Sequence, residues 1–158
     1  MNFHFRKSRI AELLLPITTS VVLIFMANLA QAEAEVSKIK ALESAAYYDK
    51  NTGLEWLAGP DEDTTWYEAK IWIESLTAFA GGGWRMPTRE ELKTLFKKGT
   101  GKRNMTPFLK TTGWWLWSGE TKGSASAWGF LFHNGEEGWG LRDSYAFGGR
   151  GFSVRSRR

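Results

Sequence analysis

Aromatic side chains with neighbouring basic residues are the groups in this chain best suited to bind a ligand. The sequence contains nine tryptophans, and its last third combines several of them with arginine and tyrosine. Exposed Trp and Tyr rings offer flat apolar faces to sugar rings or to a protein partner, and Arg adds hydrogen-bond donors. The predicted ligand-binding residues are Trp115, Trp128, Phe132, Trp139, Arg142, Tyr145 and Arg150.

The adjacent residues Trp114 and Trp115 limit how this set can be arranged. Side chains alternate across a β-strand, so the two rings must face opposite sides of any sheet that contains them. Either one ring is exposed and available to a ligand, or the two rings belong to separate cores on the two sheet faces. The sequence favours neither arrangement.

Carboxylates give two weaker chemical readings. The segment 132–139 contains Asn134, Glu136 and Glu137, whose oxygens could bind calcium. A hydrolase with two carboxylates would need an acid pair, and no acid stands in a recognisable context for that chemistry. The candidate acids for such a hydrolase are Glu120, Glu136, Glu137 and Asp143.

Composition excludes several classes of catalyst. The chain has no cysteine, which excludes thiol chemistry, disulfides and Cys-ligated metals. It has two histidines, His4 and His133, so a His-rich metal site and a Ser-His-Asp relay are not expected. We therefore expect a protein that is not an enzyme and that carries no cofactor and no metal.

The first 32 residues have the pattern of a secretory signal peptide. Three basic residues precede a largely apolar stretch from 13 to 29, and Ala-Gln-Ala at 30–32 is a small-x-small cleavage site. We expect a product in the periplasm or secreted, with no stable membrane anchor, since no cysteine follows for lipid attachment. The alternative is an uncleaved anchor, but Pro16 and several polar residues interrupt a stretch barely long enough to span a bilayer.

Removing the signal peptide leaves the length of one domain and a nearly balanced charge. Residues 33–158 contain 18 basic and 16 acidic side chains, a net charge of +2. This charge is too small to predict binding to nucleic acid. The segments 97–110 and 142–158 are locally basic, and they form either a patch for sulfated or other anionic polymers or an ordinary solvated surface.

The pattern along residues 47–158 predicts an α+β domain, preceded by a leader or frayed helix at 33–46. Residues 47–57 read as a hairpin with Gly53 in its turn. Thr65 and Glu68 form a capping box for a helix that runs to about Phe79. Its predicted buried face consists of Trp66, Ala69, Ile73, Leu76 and Ala80. A short second helix follows, and strands are predicted at 114–118, 124–132, 139–142 and 152–157.

The segment from Gly81 to Leu92 reads GGGWRMPTREEL and joins a glycine hinge to a helix start. Pro87 fixes one backbone angle, and Thr88 with Glu91 forms a second capping box. Trp84 and Arg85 are then held at a rigid corner. We favour an internal brace, with the Arg stacked on the Trp and bonded to carbonyls or a carboxylate, over a recognition pair.

This segment resembles the WRLPT-x-x-EL signature of the Lcl C-terminal domain family, a domain of unknown function. Residues 49–56 resemble the family's opening D-x-x-TGL-x-W hairpin, and residues 151–155 resemble its closing strand, without the Cys often found there. The resemblance implies a C-type lectin-like outline, with two helices flanking a small twisted antiparallel sheet and a long loop region. Its structural signature falls on Trp56, Trp84, Arg85, Pro87 and Trp117.

We therefore expect an exported, non-catalytic binding domain that recognises a glycan or a protein at the cell envelope. The chain lacks the Glu-Pro-Asn and Gln-Pro-Asp motifs typical of calcium-dependent lectins, so a calcium-dependent sugar site is not expected. Two alternatives remain, a structural component of a periplasmic complex and a carboxylate-dependent hydrolase.

Overall fold

The computed structural model describes residues 10–79, 82–101, 103–145 and 148–157. Ala80, Gly81, Lys102 and Arg158, which enter the sequence predictions, lie outside the described residues. A first unit ends at Lys40, and a second compact unit begins at Ala41 and contains its own hydrophobic core.

The N-terminal element is one helix, α1, from Ile10 to Ala45. It includes residues 33–45, for which the sequence predicted a leader or frayed helix. Across the described residues, no helix combines the length and the apolar character needed to cross a membrane.

The domain opens with the predicted hairpin, formed by β1 (Tyr47–Asp49) and β2 (Leu54–Ala58). Gly53 has a φ of 72°, which a side chain would disfavour. The Asp49 carboxylate stabilises the turn by accepting bonds from the Asn51 N–H and the Thr52 hydroxyl, both at 3.0 Å. The closing strand β7 (Phe152–Ser156) pairs antiparallel with β2 and completes a three-stranded sheet.

Both predicted capping boxes are present at the helix starts. In α2 (Trp66–Phe79), the Thr65 N–H donates to the Glu68 carboxylate at 2.8 Å, and the Glu68 N–H donates back to the Thr65 hydroxyl at 3.2 Å. Thr88 and Glu91 make the same reciprocal pair at the start of α3 (Arg89–Thr94). The described buried residues of α2 are the predicted ones, Trp66, Ala69, Ile73 and Leu76.

The second sheet differs from the predicted single antiparallel sheet. Its four strands are β3 (Trp115–Lys122), β4 (Ser126–Leu131), β5 (Glu136–Leu141) and β6 (Gly149–Arg150), in the order β5-β4-β3-β6. The pairs among β3, β4 and β5 are antiparallel, but β6 pairs parallel to β3. The α+β class is confirmed, and the expectation of one antiparallel sheet is wrong because β6 returns in the same direction as β3.

The second sheet separates two cores. Leu116, Phe130 and Phe132 face a core shared with α3 and the three-stranded sheet, and we call this side the α3 face. Trp115 and Trp117 face the opposite core with Trp66 and Ala69 of α2, and we call this side the α2 face. Strand alternation therefore places consecutive residues of β3 in different cores.

Candidate functional site

Two of the predicted ligand-binding residues, Trp128 and Trp139, lie directly opposite each other on β4 and β5. Paired residues of an antiparallel sheet project from the same side, here the α3 face. The helix α3 begins at Arg89 and covers Phe130 further along this face, whereas Trp139 remains 54% exposed and Trp128 is half-buried. The two indoles therefore form an aromatic surface at the uncovered end of the sheet.

A lysine from the neighbouring strand lies against both rings. The Lys122 ammonium is 4.1 Å from the centroid of the Trp139 ring and 4.9 Å from that of Trp128. Both distances lie within the range of a cation–π interaction. Lys122 is exposed and forms no ion pair with any described residue, so the two aromatic rings are the described groups that contact its charge.

Arg89 supports the surface from the side of α3. Its guanidinium lies 4.3 Å from the Trp128 ring centroid, and it donates to the carboxylates of Glu120 and Glu137, both at 2.8 Å. These three charges hold Trp128 in one orientation, since the planar guanidinium can stack and bond at the same time. We refer to Arg89, Lys122, Trp128, Glu137 and Trp139 together as the Trp128–Trp139 surface.

The Glu120 carboxylate beside this surface is held ionised. Burial raises the pKa of Glu120, but bonds from the Arg89 side chain and backbone N–H and the charge of Arg89 outweigh it, so the pKa lies below its usual value. An ionised carboxylate accepts hydrogen bonds and does not donate a proton. The surface thus combines flat apolar rings, one ammonium donor and carboxylate acceptors.

Three predicted ligand-binding residues are buried where the prediction needs exposed side chains, so they form no part of this surface. Trp115 is 4% exposed and lies edge-on to Trp117, with ring centroids 5.3 Å apart. It fits there because Gly129 and Gly138 leave room; a Cβ at Gly138 would lie 2.9 Å from the Trp115 ring. Phe132 is fully buried, 4.9 Å from the Phe130 ring.

Arg150 is the third buried residue, and it serves as a structural clamp. Its guanidinium donates to the Asp61 carboxylate at 3.0 Å and to that of Asp63 at 2.5 Å, and to the Thr112 hydroxyl at 3.0 Å. Burial raises the pKa of Asp61, but bonds from the Thr112 backbone, Arg150 and Thr111 outweigh it and lower this pKa to about 2. The acidic run 61–63 thus supplies two partners of Arg150, Asp61 and Asp63.

Arg142 and Tyr145 contact α2, away from the Trp128–Trp139 surface. The Arg142 guanidinium lies 5.3 Å from the Trp66 ring centroid and 5.2 Å from that of Tyr67. The Tyr145 hydroxyl donates to the Glu68 carboxylate at 2.5 Å, which raises the pKa of Tyr145 and lowers that of Glu68. Tyr145 is exposed, so it is available to a partner, but not as part of the same surface.

The structural signature residues stabilise the fold as expected, with one correction. Trp56, Trp84, Pro87 and Trp117 are buried, and Arg85 binds the Glu91 carboxylate through two nitrogens, at 2.7 and 2.6 Å. Arg85 was also expected to stack on Trp84. The guanidinium over Trp84 is instead that of Arg155, 4.3 Å from the ring centroid.

A second concave region lies between α2 and the segment 84–86. This cleft of about 510 Å³ is walled by Trp66, Ile73, Trp84 and Met86. The charges at its rim are already paired, Lys70 with Glu74 and Arg85 with Glu91. It therefore offers less to orient a polar ligand than the Trp128–Trp139 surface, where Lys122 is paired with no carboxylate of the described residues.

Sequence reasoning missed Arg89 and Lys122, and no metal cluster appears among the described residues. Arg89 lies far from Trp128 in the sequence, and Lys122 precedes it in the adjoining strand; the helix placement and the strand register bring their charged groups to the Trp128 ring. Among the residues that the structure describes, no group of three or more His, Asp or Glu side chains could hold a metal ion.

Comparison with known proteins identifies the family but assigns no activity. No curated protein matches the chain. The Lcl C-terminal domain matches residues 45–149, which is about two thirds of the sequence and includes the Trp84-Arg85 signature and both residues of the tryptophan pair. The chain therefore belongs to the Lcl C-terminal domain family.

Proposed function

We propose that this protein is an exported, non-catalytic binding domain with a C-type lectin-like fold, and that it recognises a glycan at the cell envelope through the Trp128–Trp139 surface. The observation that carries the proposal is the pairing of the exposed Trp139 with Trp128 beneath the Lys122 ammonium. The amino-terminal pattern of residues 1–32 supports export to the periplasm or beyond.

The chemistry of a sugar ring matches these groups. The C–H faces of a pyranose are apolar and stack on indole rings, which supply large contact areas at low conformational cost. Hydroxyl groups at the ring edge can accept from the Lys122 ammonium and donate to the Glu137 carboxylate. Because Arg89 and Glu120 hold Trp128 and Glu137 in place, little ordering is needed when a ligand binds.

A protein partner or an assembly role is the second candidate. Trp139 and Leu141, both more than half exposed, lie on the outermost strand of the second sheet. Exposed aromatic and aliphatic residues at an open sheet edge are typical of surfaces that bind another chain. The hydrolase reading receives the least support, since Glu120 and Glu137 are both bound to Arg89.

The test uses residues 41–158, which form a compact unit with their own core. Tryptophan fluorescence is followed while neutral, carboxylated and sulfated oligosaccharides are added, with and without calcium. We expect a saturable change with at least one class of oligosaccharide, and its loss in Trp139→Ala. The control is Trp114→Ala, which removes another exposed tryptophan outside the surface. Absence of binding across the panel, with a stable protein partner recovered instead, would contradict the glycan proposal.

A further inference from the structure

The strand β5 presents an open edge to solvent. It is the outermost strand of the four-stranded sheet, and among the described strands it pairs with β4 alone. The other outermost strands are β1 with three residues, β6 with two and β7 with five, and Val154 of β7 is bridged to Arg85. β5 is the longest of them, with six residues. An open edge of this length is a template for pairing with another strand unless Pro or charged side chains block it. β5 contains no Pro, and its two charged residues, Glu136 and Glu137, both lie at its first end.

The hydrogen-bond pattern identifies which backbone groups of β5 are open. The Arg142 N–H donates to the Ala125 carbonyl at 3.0 Å, which makes these residues a hydrogen-bonded pair just beyond the ladder. Such pairs alternate along an antiparallel ladder, so Gly140 and Gly138 also bond towards β4, while the Glu136 N–H donates to the Asn134 side chain in the turn at 3.1 Å. The N–H groups of Glu137, Trp139 and Leu141 therefore point away from β4, together with the carbonyls of Glu137 and Trp139.

We propose that β5 pairs antiparallel with β5 of a second copy of this chain, about a two-fold axis at Trp139. In this register Trp139 lies opposite its own symmetry mate and exchanges two backbone hydrogen bonds with it. Glu137 lies opposite Leu141 of the second copy, and Glu136 lies opposite Arg142. Two four-stranded sheets then form one continuous sheet, in which each Trp139 ring lies beside its symmetry mate and each Leu141 beside Glu137 of the other copy, with this end of the α3 face still open to solvent.

Charge selects this register over its neighbours. Glu136 and Arg142 project from the same α2 face, and Arg142 forms no ion pair with a described residue of its own chain. The Trp139 register brings each Glu136 to an Arg142 of the other copy, twice per dimer. A two-fold axis at Gly138 would place Glu136 opposite Gly140, without the Glu136–Arg142 ion pair. An axis at Gly140 would place Glu137 opposite Asp143, and these two carboxylates repel each other.

Light scattering of residues 41–158 across a range of protein concentrations tests whether two copies of the chain form the β5–β5 dimer. We expect a monomer–dimer equilibrium. Leu141→Pro removes an N–H that the β4 ladder does not use, so the folded variant is expected to be monomeric, while Leu141→Thr, which keeps the N–H, still dimerises. A wild-type protein that stays monomeric at its highest soluble concentration would overturn the proposal, as would a dimer that a folded Leu141→Pro leaves intact.

Cysteine cross-linking tests the register, and it decides the question even if Leu141→Pro does not fold. The chain has no cysteine, so each introduced thiol is unique. Opposed residues in a hydrogen-bonded pair are about 5.5 Å apart at Cα, within disulfide range. Trp139→Cys is expected to cross-link to itself, whereas Leu141→Cys, roughly 13 Å from its own mate, is not.

A mixture of Glu137→Cys and Leu141→Cys chains provides the matched positive control, because the register predicts cross-linked heterodimers from it. Failure of both Trp139→Cys and this mixture to cross-link would reject the pairing, as would equal cross-linking of Leu141→Cys alone. Glycan binding can be measured separately on the monomeric Leu141→Pro, so failure of the dimer leaves the proposed ligand surface testable.

Discussion

Trp128 and Trp139 are paired across β4 and β5, and the Lys122 ammonium lies within 5 Å of both ring centroids. The pair places one half-buried ring beside one exposed ring. The first is anchored by Arg89, and the second is free to contact a ligand.

Replacing Trp139 with alanine is expected to weaken glycan binding by about tenfold or more, a loss of about 1.4 kcal/mol, because the ring supplies the exposed stacking face. Stability should change little, since the side chain is 54% exposed. Isothermal titration with the oligosaccharide that binds best measures the effect. Trp114→Ala serves as the control, and equal losses in the two variants would argue against a site at Trp139.

The Lys122 ammonium is expected to set the preference for ligand charge. Lys122→Gln keeps a hydrogen-bond donor but removes the charge, so binding of carboxylated or sulfated sugars should fall more than binding of neutral ones. The difference between the loss for charged sugars and the loss for neutral sugars should shrink as the salt concentration is raised, because exposed charges are screened. Titrations at low and high ionic strength check this, and an unchanged preference in Lys122→Gln would show that the ammonium does not contact the ligand.

The contacts of Asp61 with Arg150 are expected to make stability fall in acid. The pKa of Asp61 is about 2 in the folded state, below its ordinary value of 3.8, so its stabilising contribution is present above pH 4 and is lost as the pH falls from about 4 to 2. Thermal unfolding of Asp61→Asn should show a lower melting temperature at pH 7 than the wild type. Its melting temperature should also depend less on pH over this interval. Glu62→Gln, an exposed neighbour, is the control and should resemble the wild type.

The position of Trp115 depends on glycine in the facing strand. A Cβ at Gly129 would collide with the Trp115 ring and lie 2.6 Å from the Leu116 carbonyl. We expect Gly129→Ala to destabilise the domain by about 3 kcal/mol, at the upper end of typical overpacking costs. Gly123→Asn is the control, because its turn has open space and Asn tolerates a positive φ. Urea unfolding of the two variants gives the comparison, and a fully stable Gly129→Ala would show that Trp115 can move.

Local chemistry made much of the fold predictable. The Gly53 hairpin and the capping boxes at Thr65 and Thr88 each depend on residues within a few positions of one another, and all three are present. Strand alternation also predicted that Trp114 and Trp115 separate; Trp114 is 45% exposed and Trp115 is buried.

The features that the sequence did not predict depend on residues far apart in the chain. Arg150 and Asp61 are 89 positions apart, and neither sequence context indicates that they meet. The space that Gly129 and Gly138 leave for the Trp115 ring is visible only once the strand register is known. The sequence alone therefore does not indicate that Trp115 is buried. The parallel strand β6 was missed for a similar reason, since two residues give no periodic pattern.

The most direct measurement of the central claim is a ¹H–¹⁵N spectrum of residues 41–158, recorded while the oligosaccharide panel is added. All nine tryptophans lie in this unit, so each indole N–H reports on one position. We expect the Trp139 and Trp128 indole signals to shift together, while those of the buried Trp56, Trp115 and Trp117 stay in place. Shifts confined to Trp114, with Trp139 unmoved, would contradict the proposed site.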